Sequence, residues 1–204
     1  MTFWAIVVAA GSGTRFGGPK HDVRLAGRPL WEIARATLVA SGAASVVIVG
    51  EVAGGIAGGR RRRDSVAAGL AEIPRQIEFV LVHDAARPLA SIELATAVAS
   101  RLALGDVDAV VPAIEVTDAV KQVDTDGRVT SVDRSDLRVA QTPQGFRTSS
   151  LRAAHDSIVG DAADDAELIE RWGGRVALVP GEAANLKITY PSDVAVAAAL
   201  LEAR

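Results

Sequence analysis

Residues 3–16 read FWAIVVAAGSGTRF, and this pattern indicates an α/β protein. The apolar run at residues 3–8 predicts a strand buried on both faces, because no polar residue alternates with the apolar ones. A glycine-containing loop follows without a spacer. In α/β proteins, ligands bind beyond the carboxyl ends of such strands, so this loop is the first candidate binding element.

The remainder of the chain alternates between apolar runs and helix-like stretches. Further strands are predicted at residues 45–49, 77–82, 109–113, 176–179 and 186–189. Helices are predicted at residues 29–40, 64–71, 91–104, 148–157, 164–172 and 191–201. Asp64 and Ser91 are expected to cap the starts of their helices. This order favours an α/β protein with a mostly parallel sheet covered on both faces.

One segment breaks the alternation. Residues 119–133 read AVKQVDTDGRVTSVD, in which Asp126-Gly127 is a hairpin turn signal between valine-rich arms. An isolated hairpin is marginally stable in water. We therefore expect it to pack on the body of the chain or on a partner subunit.

Composition narrows the functional classes. The chain has 204 residues, which suits a single domain, residues 1–204. The absence of cysteine excludes a disulfide framework, a thiolate metal site and a cysteine nucleophile. A net charge of −3 gives no global basic field for nucleic acid. No apolar run reaches the roughly 18 residues of a membrane span, and no signal-peptide pattern opens the sequence, so a cytoplasmic location is expected.

The loop after the first strand carries the first chemical signal. Residues 9–20 read AAGSGTRFGGPK, with Arg15 and Lys20 as fixed positive charges. Glycines let backbone N–H groups approach an anion. The spacing matches neither a Walker loop nor a Gly-x-Gly-x-x-Gly fingerprint, since Phe16 stands at the third glycine position. Phosphate binding is predicted, and a tight connecting loop with surface charges is the alternative.

Three other polar segments follow or interrupt apolar runs. Asp84 lies just after the strand at 77–82, where a carboxylate can hold Mg²⁺ against phosphates, and Arg87 can pair with Asp84 or with a phosphate. His83 is interpreted as a packed residue rather than a catalyst. In the basic run 60–63, Arg60, Arg61 and Arg63 are interpreted as solvated. Lys187 interrupts an apolar run and faces either solvent or an anion.

Together these segments resemble one known family, that of the 2-C-methyl-D-erythritol 4-phosphate cytidylyltransferases. The shared motifs run in order through nearly the whole chain: AAGSGTR with PK, RRRDSVAAGL, VHDAARPL, DAVK, AQTPQGF, DDAELIE and NLKITYPSD. VHDAARP and QTPQGF are far more specific than a glycine loop. The resemblance implies a doubly wound, Rossmann-like nucleotidyltransferase fold with a protruding β-arm, at about 119–141, that clasps a second subunit.

The resemblance also implies roles for individual residues. Arg15, Lys20, Arg134 and Lys187 match catalytic positions, with Arg134 supplied by the neighbouring subunit, and Asp84 matches a Mg²⁺ ligand. The positions matching nucleotide contacts are Ala9, Ala10, Gly11, Gly13, Gly59, Arg62, Ser65, Asp84 and Ala85. Those assigned to the acceptor are Arg87, Arg134, Thr142 and Lys187.

The implied activity is transfer of CMP from CTP to the phosphate of 2-C-methyl-D-erythritol 4-phosphate, with release of pyrophosphate, in isoprenoid precursor synthesis. The alternatives are a ribitol 5-phosphate cytidylyltransferase and a catalytically silent nucleotide-binding homologue. This sequence departs from the family pattern in the short segment 49–58 and the short loop between Arg15 and Lys20. Ala119 and Ala163 also stand where threonine is common.

Overall fold

The computed structural model describes residues 2–11, 13–18 and 23–203. Its strands are β1 Phe3–Val8, β2 Arg24–Leu25, β3 Arg28–Pro29, β4 Ser45–Val49, β5 Phe79–Asp84, β6 Ala109–Glu115, β7 Val120–Val123, β8 Val129–Val132, β9 Arg138–Ala140, β10 Gln144–Arg147 and β11 Val176–Pro180. Its α-helices are α1 Leu30–Ala40, α2 Arg62–Ala71, α3 Ile92–Leu102, α4 Thr148–Ser157, α5 Asp165–Trp172 and α6 Ser192–Glu202. None of the helices in the described ranges has the length and apolarity that a membrane span requires.

The main sheet has the strand order β11-β6-β10-β5-β1-β4, with β9 added beside β6. The neighbours β4, β1 and β5 are parallel, as are β6 and β11, whereas β10 runs antiparallel between β5 and β6. The mostly parallel sheet predicted from the apolar runs is therefore confirmed. The carboxyl ends of β1 and β5 meet at one edge, which is where the glycine-containing loop and Asp84 come together.

Helices cover both faces of this sheet. Along β1, Ile6 packs in one core with α2, α4 and α5, while Ala5 and Val7 pack in a second core with α1 and α3. This division follows from the strand period of two, which sends successive side chains to opposite faces. Helix α6 packs apart, against Leu25 and Ile188.

Most predicted elements agree with the structure within two residues, and two predictions are wrong. Residues 186–189 form no strand; the amide of Ile188 donates instead to the carbonyl of Ala86 in a loop. Asp64 is not the N-cap of α2, because Arg61 takes that position and the carboxylate of Asp64, one turn inside, accepts the Arg61 N–H. Ser91 does cap α3, its hydroxyl accepting the N–H of Leu94 at 2.9 Å. Strands β2, β3, β9 and β10 have no counterpart among the predicted strands.

The predicted hairpin is confirmed as β7 and β8, which pair antiparallel with each other. Its turn is held by the Asp124 carboxylate, which accepts the amides of Asp126 and Arg128. These two strands form a separate two-stranded sheet, and Val123 and Val129 are exposed on it. Within the part of the chain that the structure describes, the hairpin therefore stands away from the body rather than packing on it.

Candidate active site

A cleft of about 550 Å³ lies at the carboxyl ends of β1 and β5. It brings together segments that are far apart in the sequence. Its described lining residues are Val8, Ala9, Ala10, Gly11, Gly13, Thr14, Arg15, Leu30, Trp31, Gly59, Arg60, Arg61, Arg62, Ser65, Asp84, Ala85, Ala86 and Lys187. Most of the residues predicted to bind the nucleotide and its phosphates therefore line this cleft.

The glycine-containing loop forms the first wall. The amide of Ala9 donates to the carbonyl of Val49 at 2.7 Å, which extends the pairing of β1 and β4 into the loop. A short 3-10 turn, Thr14–Phe16, then places Arg15 at the surface of the cleft, with the Phe16 amide donating to the Gly13 carbonyl. Lys20, predicted as the second charge of this loop, lies outside the described residues.

The start of α2 forms the opposite wall. The hydroxyl of Ser65 accepts the amide of Gly59 at 3.1 Å and so ties the preceding loop to the helix. A Cβ atom on Gly59 would lie 2.3 Å from the Cβ of Asp64, so only glycine allows this close approach. A Cβ on the neighbouring Gly58 would likewise lie 2.3 Å from the Cβ of Ala10, so these two glycines pack closely against α2 and against the glycine-containing loop.

Asp84 is the electrostatic centre of the cleft. Its Oδ1 accepts a hydrogen bond from Nε–H of Arg62 at 3.0 Å, and its Oδ2 accepts one from the Lys187 ammonium at 2.6 Å. Burial alone would raise the pKa of Asp84, but the charges and hydrogen bonds of Arg62 and Lys187 hold that pKa far below its usual range. Asp84 is therefore an anion shared between two cations.

Arg62 joins this centre to a second buried carboxylate. Its Nη1 donates to Asp165 Oδ2 at 2.5 Å, while Asp165 Oδ1 lies 3.1 Å from Nε2 of His155. Burial would lower the pKa of Arg62, but the charges of Asp84 and Asp165 outweigh it and raise that pKa. The guanidinium is thus fixed as a cation between two acids.

Thr142 and Arg87, both predicted for the acceptor, lie behind the cleft rather than in its lining. The Thr142 hydroxyl accepts the backbone amide of Asp84 at 3.1 Å and lies 2.8 Å from Nδ1 of His83. Arg87 donates to the carbonyls of Asn185 and Ala140. Of the two partners predicted for Arg87, Asp84 does not pair with it, because the Asp84 oxygens contact Arg62 and Lys187.

His83 is buried and supports the same strand end. Burial lowers the pKa of its imidazole to about 4, despite the opposing charge of Asp84. A neutral ring bonded to a threonine hydroxyl is a packed histidine, in agreement with the interpretation from sequence.

The basic run 60–63 divides among three environments. Arg60 and Arg61 line the cleft, and Arg61 pairs with Asp64 at 2.7 Å. The interpretation of Arg63 as solvated is wrong: its side chain is buried and donates to the carbonyls of Gly160 and His155. Helical geometry explains why Arg62 and Arg63 differ, since consecutive residues of α2 point in directions about 100° apart.

Arg134 lies elsewhere. It follows β8, is exposed, and is not among the residues lining the cleft. Its backbone carbonyl accepts the amide of Leu137 in a turn that leads back to β9. The single chain therefore places Lys187 in the cleft and leaves Arg134 on its surface, near the hairpin.

Of the described residues that line the cleft, Asp84 carries the carboxylate that could hold a divalent cation. Among the described residues, no group of three or more His, Cys, Asp or Glu side chains is arranged to hold a metal ion. Mg²⁺, however, commonly takes one or two carboxylates and fills its other positions with phosphates and water. Asp84 fits that pattern, because a carboxylate has more lone pairs than the two used by Arg62 and Lys187.

Sequence reasoning missed Asp165 and His155. The motif DDAELIE contributes only to the resemblance, and its acids receive no role there. The available signal was the doubled acid at a helix start, of which Asp164 alone is needed as the cap. The second acid is then free to serve another purpose.

The comparisons with known proteins agree with this geometry. A family model described as IspD, 2-C-methyl-D-erythritol 4-phosphate cytidylyltransferase, matches residues 3–203. A protein of that name from Rhodococcus jostii is 44% identical, over 97% of this chain and 94% of the relative. A bifunctional enzyme IspD/IspF from Solidesulfovibrio magneticus is 41% identical over 96% of this chain but only 56% of its own length. The chain thus spans about half the length of that bifunctional relative.

Solved structures give the same result. The 2-C-methyl-D-erythritol 4-phosphate cytidylyltransferase of Thermus thermophilus has a TM-score of 0.80 at 33% identity, covering 99% of this chain and 100% of that one. The 4-diphosphocytidyl-2C-methyl-D-erythritol synthase of Anaerococcus prevotii has a TM-score of 0.82 at 30% identity, with 98% of each chain covered. The chain therefore belongs to the 2-C-methyl-D-erythritol 4-phosphate cytidylyltransferase family.

Proposed function

We propose that this chain transfers CMP from CTP to the phosphate of 2-C-methyl-D-erythritol 4-phosphate, giving 4-diphosphocytidyl-2-C-methyl-D-erythritol and pyrophosphate. The observation that carries the proposal is the cleft in which the glycine-containing loop, Arg62 and Lys187 surround Asp84. Such a site is suited to binding phosphate groups. Its backbone amides and cationic side chains stabilise negative charge, and the carboxylate of Asp84 can bind a divalent cation.

The reaction needs no general base from the protein. A phosphate monoester has a second pKa of about 6 and is mostly a dianion at neutral pH. Its oxygen attacks the α-phosphorus of CTP, the new P–O bond forms, and the bond to the pyrophosphate leaving group breaks. The absence of an activated nucleophile from the described cleft residues is consistent with this chemistry.

The protein then has to position anions and stabilise charge. Arg15, Lys20 and the loop amides are proposed to take the charge that grows on the α- and β-phosphates. Lys187 is proposed to hold the acceptor phosphate, together with Arg134 from a second subunit. Asp84 would hold Mg²⁺, which would draw charge from the triphosphate oxygens when bound.

A homodimer and a cytoplasmic location belong to the same proposal. The exposed hairpin with Val123 and Val129 supports the first, because an unpacked valine-bearing hairpin is stabilised by burying that surface on a partner. The charge of CTP and of a polyol phosphate supports the second, because neither crosses a bilayer unaided.

Pyrophosphate release tests the function directly. The protein is mixed with CTP and Mg²⁺ and with either 2-C-methyl-D-erythritol 4-phosphate or ribitol 5-phosphate. We expect release with the first acceptor, little with the second, and none when EDTA replaces Mg²⁺. Release with ribitol 5-phosphate alone would keep the chemistry and overturn the acceptor, and no release with either, from folded protein, would overturn the proposal.

A further inference from the structure

The two carboxylates that contact the guanidinium of Arg62, those of Asp84 and Asp165, lie in different surroundings. Asp84 faces the cleft and has Lys187 as a second cationic partner. Asp165 does not line the cleft, is fully buried, and contacts Arg62 on one oxygen and His155 on the other. A buried carboxylate is costly unless it is paired, so Asp165 needs an explanation.

The structure of α5 does not supply that explanation. The N-cap of the helix is Asp164, whose Oδ1 accepts the amide of Glu167 at 2.9 Å and whose Oδ2 accepts the side-chain amide of Gln144 at 2.7 Å. Asp165 is therefore not needed to begin the helix. Its Oδ2 instead reaches across to the start of α2.

Nor does α2 need Arg62 for its own structure. The helix begins with a capping box between Arg61 and Asp64. The side chain of Arg62 turns away from that box into the cleft, where Nε contacts Asp84 and Nη1 contacts Asp165. Its Nη2 is buried and has no partner among the described residues. The contacts with Asp84 and Asp165 therefore orient the guanidinium of Arg62, and neither contact contributes to the formation of α2.

We propose that Asp165 is a positioning residue for Arg62, holding its guanidinium at the nucleotide side of the cleft. This inference rests on the proposed function. Guanidinium is a planar fork, so two anchors on different nitrogens fix its plane as well as its position. If Asp165 is neutralised, Asp84 remains the one charged anchor, and Arg62 draws closer to the carboxylate that the nucleotide and its cation need. His155 holds Asp165 in turn.

The test measures binding of CTP with Mg²⁺ by calorimetry, which does not depend on turnover. We expect Asp165→Asn to weaken CTP binding by about tenfold to a hundredfold, the usual scale for a hydrogen bond to a charged group. The KM of the acceptor should change little, because Lys187 does not contact Asp165. The matched control is Asp164→Asn, which removes the neighbouring charge but keeps a good N-cap, and we expect its CTP affinity to match the wild type.

A double-mutant cycle separates positioning from general damage. If Asp165 acts through Arg62, the variant Arg62→Gln with Asp165→Asn binds CTP no more weakly than Arg62→Gln alone. Additive losses would overturn the inference, as would an Asp165→Asn enzyme with wild-type CTP affinity.

Should Asp165→Asn fail to fold, His155→Phe removes the ring contact while the acid stays, and unchanged CTP affinity in that variant would overturn the inference. A wild-type protein that binds CTP but releases no pyrophosphate would overturn the proposed function alone, because the affinities of the cycle can still be compared.

Discussion

At the residue scale, burial sets the protonation of His83, which lies beside Asp84 at the end of β5. Its folded pKa of about 4 lies below the ordinary value of 6.5. At pH values between these two, the His83 ring is protonated in the unfolded chain but not in the folded chain. The free energy of unfolding therefore falls as the pH decreases. The stability that depends on the neutral His83 ring is fully present above about pH 6.5 and is lost progressively as the pH falls toward 4.

We therefore expect the free energy of unfolding to drop by about 2 kcal/mol between pH 7 and pH 5 on account of His83. Urea unfolding of metal-free protein measures it, with His83→Asn as the comparison. Asp84 adds no pH dependence in this range, because the stability that its lowered pKa contributes is lost only as the pH falls below its ordinary value of 3.8. Equal pH slopes for wild type and variant would contradict the prediction.

At the same scale, motifs located the ionic residues of the site but not their partners. Asp84 was expected because it follows an apolar run, and Arg62 and Lys187 because they stand in matching motifs. Their pairing joins residues 22 and 103 positions apart, which depends on the packing of α2 and of the loop at 187 around β5. No local pattern encodes such a contact, and Asp165 was missed for the same reason.

At the element scale, the placement of α2 depends on close packing over β1. A Cβ on Gly69 would lie 2.8 Å from Cγ2 of Ile6 and 3.1 Å from Cγ2 of Val49. Both neighbours are fully buried β-branched residues on strands, so neither can move away cheaply. The glycine lets the helix that carries Arg62 and Ser65 lie against the sheet.

The substitution Gly69→Ala accordingly sets two effects against each other. Helix propensity alone would stabilise the protein by about 1 kcal/mol, whereas overpacking of a core costs about 1–3 kcal/mol. We expect a net loss, measured by thermal unfolding, with weaker CTP binding as α2 shifts. The control Ala67→Gly, on the exposed side of the same helix, should cost about 1 kcal/mol with CTP binding unchanged. A stabilised Gly69→Ala protein would show that the helix has room to spare.

An element could be predicted from the sequence when its own residues show the burial that stabilises it, and not when distant strands supply that stability. The strands at 3–8 and 45–49 were predicted with their observed bounds, because the apolar run itself records burial on both faces. Strand β10 was missed because QGFR has no apolar run, and only the gap between β5 and β6 makes it a strand. Residues 186–189 have the composition of a strand, but the amide of Ile188 pairs with the carbonyl of Ala86 in the loop after β5 rather than with a strand.

At the scale of the whole molecule, a single chain leaves Lys187 in the cleft and Arg134 on the surface. If a partner supplies Arg134, a dimer of one Arg134→Ala chain and one Lys187→Ala chain contains one intact site and one doubly altered site. With random exchange of subunits, we expect mixing of the two inactive variants to restore about a quarter of wild-type turnover. Fluorescence transfer between labelled subunits confirms exchange.

The informative failure is exchange without recovered activity. That result would place Arg134 and Lys187 in the same subunit's site. The Arg134→Ala variant should retain the wild-type unfolding temperature within a few degrees, because Arg134 is exposed.

The short segment between Val49 and Gly58 has an effect beyond the active site. Ile56 bridges to Val49 on the outer side of β4, its amide donating to the carbonyl of Ile48 and its carbonyl accepting the amide of Gly50. Strand β4 ends the sheet on that side, and the strand at the other end, β11, finishes at Pro180, which has no amide to donate. Open sheet edges invite strands of other molecules to add on and so to aggregate. Here Ile56 occupies part of the β4 edge, and Pro180 cannot donate at the end of β11, so each edge offers fewer free backbone groups to an incoming strand.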